Sequence, residues 1–133
     1  MRLLLDTHTF LWTILKPERL PALSHDVISA QASEVFVSAI SLWEISIKSR
    51  LGKIDLINLS TIDLIPSAIK MGFIPVGLSP EEAVSQGELT ESTHFDPFDR
   101  MLIWQAISRK LTLVSGDPEF KKFKKDGLKL LWK

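Results

Sequence analysis

The stretch MRLLLDTHTFLWTIL, Met1 to Leu15, carries the fold in miniature. Leu3–Leu5 is a short apolar run suited to a buried strand, Asp6 interrupts it, and Thr7–Leu15 continues with helical spacing. The same alternation recurs along the chain. Further strand-like runs lie at Val35–Val37, Ile74–Val76 and Thr112–Val114, with a weaker one at Lys129–Trp132 whose short length and basic flanks suit a sheet edge. Besides Thr7–Leu15, helical periods are predicted at His25–Ala32, Ala39–Leu51, Ile62–Met71, Glu81–Gln86 and Pro97–Lys110. Most have Ser, Thr or Asp near the start, and Gly52, Gly72 and Gly87 stand near helix ends. Short apolar runs alternating with helices predict the α/β class: a three-layer α/β/α sandwich around a central parallel sheet of about five strands.

Length and composition bound what such a fold does. The 133 residues, 45% hydrophobic and 24% charged, suit one domain over residues 1–133, without repeats or a dividing linker. Lys and Arg number 16, as do Asp and Glu, so bulk positive charge does not hold nucleic acid here; any such binding is local. The absence of cysteine excludes disulfides, iron–sulfur clusters and thiolate zinc sites, and His8, His25 and His94 are too scattered to suggest an imidazole metal site. The start MRLLLD lacks the features of a signal peptide, and no apolar run reaches the roughly 18 residues of a membrane span. A soluble protein of the reducing cytoplasm, without membrane association, is the expectation. Charge is unevenly spread: residues 79–99 hold six acids and no Lys or Arg, and residues 100–133 hold nine bases against three acids. The run Lys121–Lys125 around Phe123 reads either as a solvated face or as a phosphate contact.

The acids are the informative residues. Asp6 follows a strand, and in open α/β sheets ligands bind at the carboxyl ends of strands; helix capping is its structural alternative. Asp117, in TLVSGDPEF, repeats that position after Thr112–Ser115 and has the same alternative. Glu44, in SLWEISI, lies on a mostly apolar helix face, where an i,i+4 pair with Lys48 or a metal ion would balance its charge. In HFDPFDRMLIWQA, Asp96 and Asp99 flank Pro97 at a helix start: Asp96 reads as the cap, while Asp99 either favours the helix dipole or points toward the sheet edge. Two carboxylates about 4 Å apart repel by roughly 4 kcal/mol at an effective dielectric near 20, so a cluster of Asp6, Glu44, Asp99 and Asp117 requires protons or a cation. All-oxygen ligation suits Mg²⁺ or Mn²⁺, and the chemistry then expected is phosphoryl transfer or phosphodiester hydrolysis.

Four fragments, LLLDTHTFLW (Leu3–Trp12), VSAISLWEISIK (Val37–Lys48), DPFDRMLIWQA (Asp96–Ala106) and LTLVSGDPEF (Leu111–Phe120), in this order and at these separations, resemble the PIN-domain ribonucleases, and among them the VapC-like toxins of type II toxin–antitoxin pairs. The resemblance spans nearly the whole chain and implies a PIN-like sandwich with a parallel sheet of about five strands. It implies an acidic pocket of Asp6, Glu44, Asp99 and Asp117 holding Mg²⁺ or Mn²⁺, with Ser115 replacing the small hydroxyl residue, often Thr, two positions before the last acid. Asp96 is an additional acid that either touches metal or caps the helix, and His8 follows a DTH pattern of one branch. The implied activity is metal-dependent endoribonucleolytic cleavage of RNA, and the implied partners are a cognate antitoxin and a second copy in a homodimer. Leu11, Trp12 and Trp43 read either as core or as an apolar surface for that antitoxin.

Two other readings compete. A phosphatase of the haloacid-dehalogenase kind would use Asp6 as a covalent nucleophile, but that group usually has a second Asp two residues on, where this chain has His8. A non-catalytic binding module would use the acids only as caps and the basic end to meet RNA or a protein.

Overall fold

Alternation along three strands separates the two faces of the sheet. The computed structural model describes residues 1–133, and in it β1 (Arg2–Leu5) is the middle strand of a five-stranded sheet of order β3-β2-β1-β4-β5. The others are β2 (Glu34–Ser38), β3 (Ile74–Val76), β4 (Thr112–Val114) and β5 (Lys129–Leu131), and every pairing is parallel. Leu3, Leu5, Val35, Val37 and Val114 contribute to one buried cluster, with Phe10 and Leu11 of α1 (Thr7–Leu15), Ile28 of α2 (Ala22–Ser29), Ile45 of α3 (Ala39–Arg50), and Leu64 and Ala68 of α4 (Leu64–Lys70). Leu4 and Leu113 point the other way, packing with Leu102, Ile103 and Ala106 of α6 (Pro97–Ser108) and with Phe120 and Phe123. Burial on both faces explains why the central strands read as unbroken apolar runs. α5 (Pro80–Ser85) is fastened to α6 through Glu82 and Arg109.

All five predicted strands and six predicted helices are present, with differences at some boundaries. α2 begins at Ala22 rather than His25 and ends at Ser29; Pro21 precedes it without a side-chain cap, so the usual start signal is missing. The predicted helix from Ile62 opens instead as a 3-10 turn, Thr61–Asp63, capped reciprocally by Ser60 and Asp63. The basic run is neither loop nor α-helix but part of a 3-10 segment, Pro118–Asp126, in which Phe120 and Phe123 are buried three residues apart. Gly127 closes that segment at φ 98°, a conformation glycine adopts without steric cost.

The strand order positions the site. From β1 the chain proceeds outward to β2 and β3, then returns to the other side of β1 for β4 and β5, making the β1–β4 boundary the switch point of the sheet. Ligand crevices in open α/β sheets lie beyond the strand ends at this boundary. Leu5 pairs with Val114 there, and the next residues are Asp6 on one strand and Ser115 on the other.

Candidate active site

Asp6 and Asp117 follow the two strands that meet at the switch point and line one pocket of about 300 Å³, together with His8, Thr9, Gly116 and Trp132. Asp6 is buried, and its Oδ1 accepts the Thr9 N–H at 2.8 Å, so its helix-cap role is real. Burial also pushes its carboxyl pKa up, while the Ser115 and Thr9 groups favour the ionised form and oppose that shift. The Ser115 hydroxyl accepts the Asp117 N–H at 3.1 Å, and Asp117 caps the 3-10 segment by accepting from Glu119 N at 2.9 Å.

Glu44 comes from α3, which places Ile45 in one buried cluster and Ile40 in the other, and Asp99 comes from α6, against which α3 packs. Glu44 is buried, with its oxygens engaged by Thr7 Oγ1 at 2.6 Å and Lys48 Nζ at 2.5 Å. The i,i+4 pair with Lys48 therefore forms, around a carboxylate removed from water. Thr7 is the residue after Asp6, so this hydrogen bond joins the strand-end acid to the helical acid. Asp99 meets His94 Nε2 at 2.9 Å. Burial pushes the Asp99 carboxyl up to about 6, reinforced by the charges of Asp96 and Glu44 and opposed by His94. Asp96 caps α6, accepting from Asp99 N at 2.9 Å.

The sequence-predicted acids thus fall into two pairs: Asp6 with Asp117 across one pocket, and Glu44 with Asp99 on helices that pack against each other, with the Thr7–Glu44 hydrogen bond between the pairs. No three of them converge to metal-ligating distance, because Glu44 is held by Lys48 and Asp99 by His94. The donor chemistry nevertheless fits a hard divalent cation. The donors are carboxylate oxygens, burial disfavours the ionised form of Asp6 and Asp99, and Thr7 and Lys48 balance Glu44, while Asp117 faces the pocket without a cationic partner. Sequence reasoning missed Thr7 and His94. Thr7 follows Asp6 directly and His94 opens HFDPFD, but neither contact is visible without the fold. Leu11 is core, Trp12 is half-buried against Trp132, and Trp43 is exposed with its ring edge-on to Phe98. His8 is exposed on the Asp6 pocket wall, leaving no acid at the position the phosphatase alternative requires.

Residues 3–126 match the PIN domain family. The chain belongs to that family. Solved structures similar to this PIN domain include VapBC2 from Rickettsia felis bound to a DNA fragment from its promoter, at 19% identity and TM-score 0.70 with both chains covered completely. VapBC-1 from nontypeable Haemophilus influenzae is 15% identical at TM-score 0.70, covering 98% of this chain and 97% of that chain. FitAB bound to an IR36 DNA fragment is 18% identical at TM-score 0.65, covering 97% and 93%. At these identities the likeness establishes the fold of the PIN domain. No curated protein matches the chain.

Proposed function

We propose that this PIN domain, as a single domain over residues 1–133, is a metal-dependent endoribonuclease and the toxin of a type II toxin–antitoxin pair in the cytoplasm. The observation that carries the reading is the shared pocket of Asp6 and Asp117 at the switch point, linked through Thr7 to buried Glu44 and its neighbour Asp99. Asp6, Glu44, Asp99 and Asp117 are the residues that would hold Mg²⁺ or Mn²⁺, directly or through water. A bound ion would supply Lewis acidity for the attack of water on an RNA phosphodiester, a hydrolysis that would give 5′-phosphate and 3′-hydroxyl ends. The protein's share is orientation. The Thr9 N–H fixes Asp6, Ser115 fixes the turn that carries Asp117, Thr7 and Lys48 fix Glu44, and His94 Nε2 shares a proton with Asp99 Oδ2.

The fold likeness to VapBC and FitAB complexes supports a cognate antitoxin as partner. Exposed Trp43, exposed Ile62 in the 3-10 turn before α4, and exposed Ile65 and Ile69 along α4 provide apolar surface for that contact and for a homodimer. Incubation of the purified chain with cellular RNA and Mn²⁺ tests the activity: cleavage is expected to stop on chelation and in Asp6→Asn. Cleavage indifferent to both changes refutes the reading.

A further inference from the structure

The 3-10 segment Pro118–Asp126 sorts its side chains by threes. Phe120 and Phe123 are buried, with Asp126 beside them in the series accepting from Thr90 Oγ1. Glu119, Lys122 and Lys125 form a second row whose charges are satisfied, Lys122 by Glu119 and Lys125 by Glu91. The third row, Pro118, Lys121 and Lys124, lines a groove of about 300 Å³ that Lys133 also borders. None of these three lysines has a carboxylate partner. The backbone of Lys133 is fixed by Ser24, which donates its N–H to the Lys133 carbonyl and accepts the Lys133 N–H. Three lysines against the single carboxylate of Asp117 leave the groove net positive, a disposition that suits an anion.

This groove is continuous with the acidic pocket. The two share Gly116, Asp117 and Trp132, and Asp117 is the sole acid on the groove lining. Trp132 packs against Trp12 with ring centroids 5.8 Å apart and planes tilted by 44°, and lies so close to Gly116 that a Cβ there would stand 2.6 Å from its ring. The indole wall between pocket and groove therefore depends on glycine at 116. We infer that the Lys121–Lys124–Lys133 groove holds backbone phosphates of a single-stranded RNA flanking the phosphodiester at the acidic pocket. The inference rests on the nuclease reading and gives it a direction: the strand leaves the pocket past Trp132 and runs along the unpaired lysine row. Lys122 and Lys125, neutralised on the neighbouring row, take no part.

A salt titration separates the two rows. Affinity for a short fluorescein-labelled single-stranded RNA is read by fluorescence anisotropy in chelator, for the full chain, Lys121→Ala/Lys124→Ala and Lys122→Ala. Each lost phosphate contact removes about 0.7 from the slope of log affinity against log salt, so the double variant is expected to flatten it by about 1.4. Between 50 and 200 mM salt the full chain then loses about seven-fold more affinity than the double variant. Lys122→Ala is expected to keep the original slope, and in a parallel Mn²⁺ cleavage assay the double variant raises KM while kcat holds. A full chain that cuts RNA while the double variant keeps its slope overturns the groove and leaves the nuclease reading standing. Lysine-dependent RNA binding without chelator-sensitive cleavage does the reverse, and absence of RNA binding overturns the groove outright.

Discussion

Asp99 is a carboxyl group kept in surroundings that disfavour its charge, and this fixes the sign of its effect on stability. Its folded pKa of about 6 exceeds the ordinary value of 3.8, because burial penalises the anion and Asp96 and Glu44 add like charge. The native state therefore holds the proton more tightly than the unfolded chain. The stabilisation this gives is complete below about pH 3.8 and is lost as the pH rises through about 6. Asp99→Asn keeps a neutral group of the same shape that can still hydrogen-bond to His94. In chelator, the variant is expected to melt above the original protein near neutral pH, by a few degrees, with the difference vanishing toward about pH 4. Thermal melts across that range check it; a difference that is constant with pH would show that Asp99 is not strained by its surroundings. Asp99 and Asp117 also show how far sequence reached at this scale. Their residue types and their positions at element starts marked both as candidate site acids. Their partners, His94 at the Asp99 carboxylate and the Ser115 hydroxyl at the Asp117 backbone N–H, act through hydrogen bonds that only the folded chain creates.

α5 has six residues, too few to be stable alone, so its helicity rests on what fastens it. Ser79 and Glu82 cap each other at its start, and Glu82 reaches α6, meeting Arg109 Nε at 2.7 Å and Gln105 Nε2 at 3.3 Å. The Arg109 hydrogen bonds hold the Glu82 carboxyl down to about 2, against an ordinary 4.5. Here the sign is opposite to that of Asp99: the stability is present above about pH 4.5 and is lost as the pH falls toward about 2. Glu82→Gln keeps the capping geometry and removes the ion pair. It is expected to cost about 1.5–3 kcal/mol at neutral pH, with the gap to the original protein closing as acid is added. Urea denaturation at several pH values measures this, and a gap independent of pH would deny the pair its role. Elements of this kind were legible wherever a local rule decides them: Ser79-Pro80 opens α5, and Asp96-Pro97 opens α6. The segment Pro118–Asp126 was not, because its period is three and its five exposed charges masked the Phe120–Phe123 pair that anchors it. α2 was misplaced by three residues because Pro21 offers no side-chain cap to signal its start.

At the scale of the whole molecule, the carboxyl ends of the sheet gather acids in a chain whose charges otherwise leave an excess of bases, the total being zero. On the proposed nuclease reading the domain is expected to be stabler with a divalent ion than without one, whereas a binding module whose acids serve only as caps is indifferent to it. A ligand that binds only the native state stabilises it by about 2.7 kcal/mol at one hundred times its dissociation constant. For a domain of this size that corresponds to a rise in Tm of roughly 10 °C. Mn²⁺ titrated against thermal melting of the chelator-treated chain is expected to show a saturable rise of this order. Asp6→Asn and Asp117→Asn should each remove most of it, since they alter the two acids that face the shared pocket. Lys48→Met provides the opposite check. It leaves Glu44 buried without its cation, so the metal-free variant melts below the original protein, while the Mn²⁺-induced rise becomes larger because the ion then balances a charge that Lys48 otherwise holds. A flat Mn²⁺ titration of the unaltered chain would instead favour the capping-only reading, in which the acids at the switch point organise helix starts and nothing more.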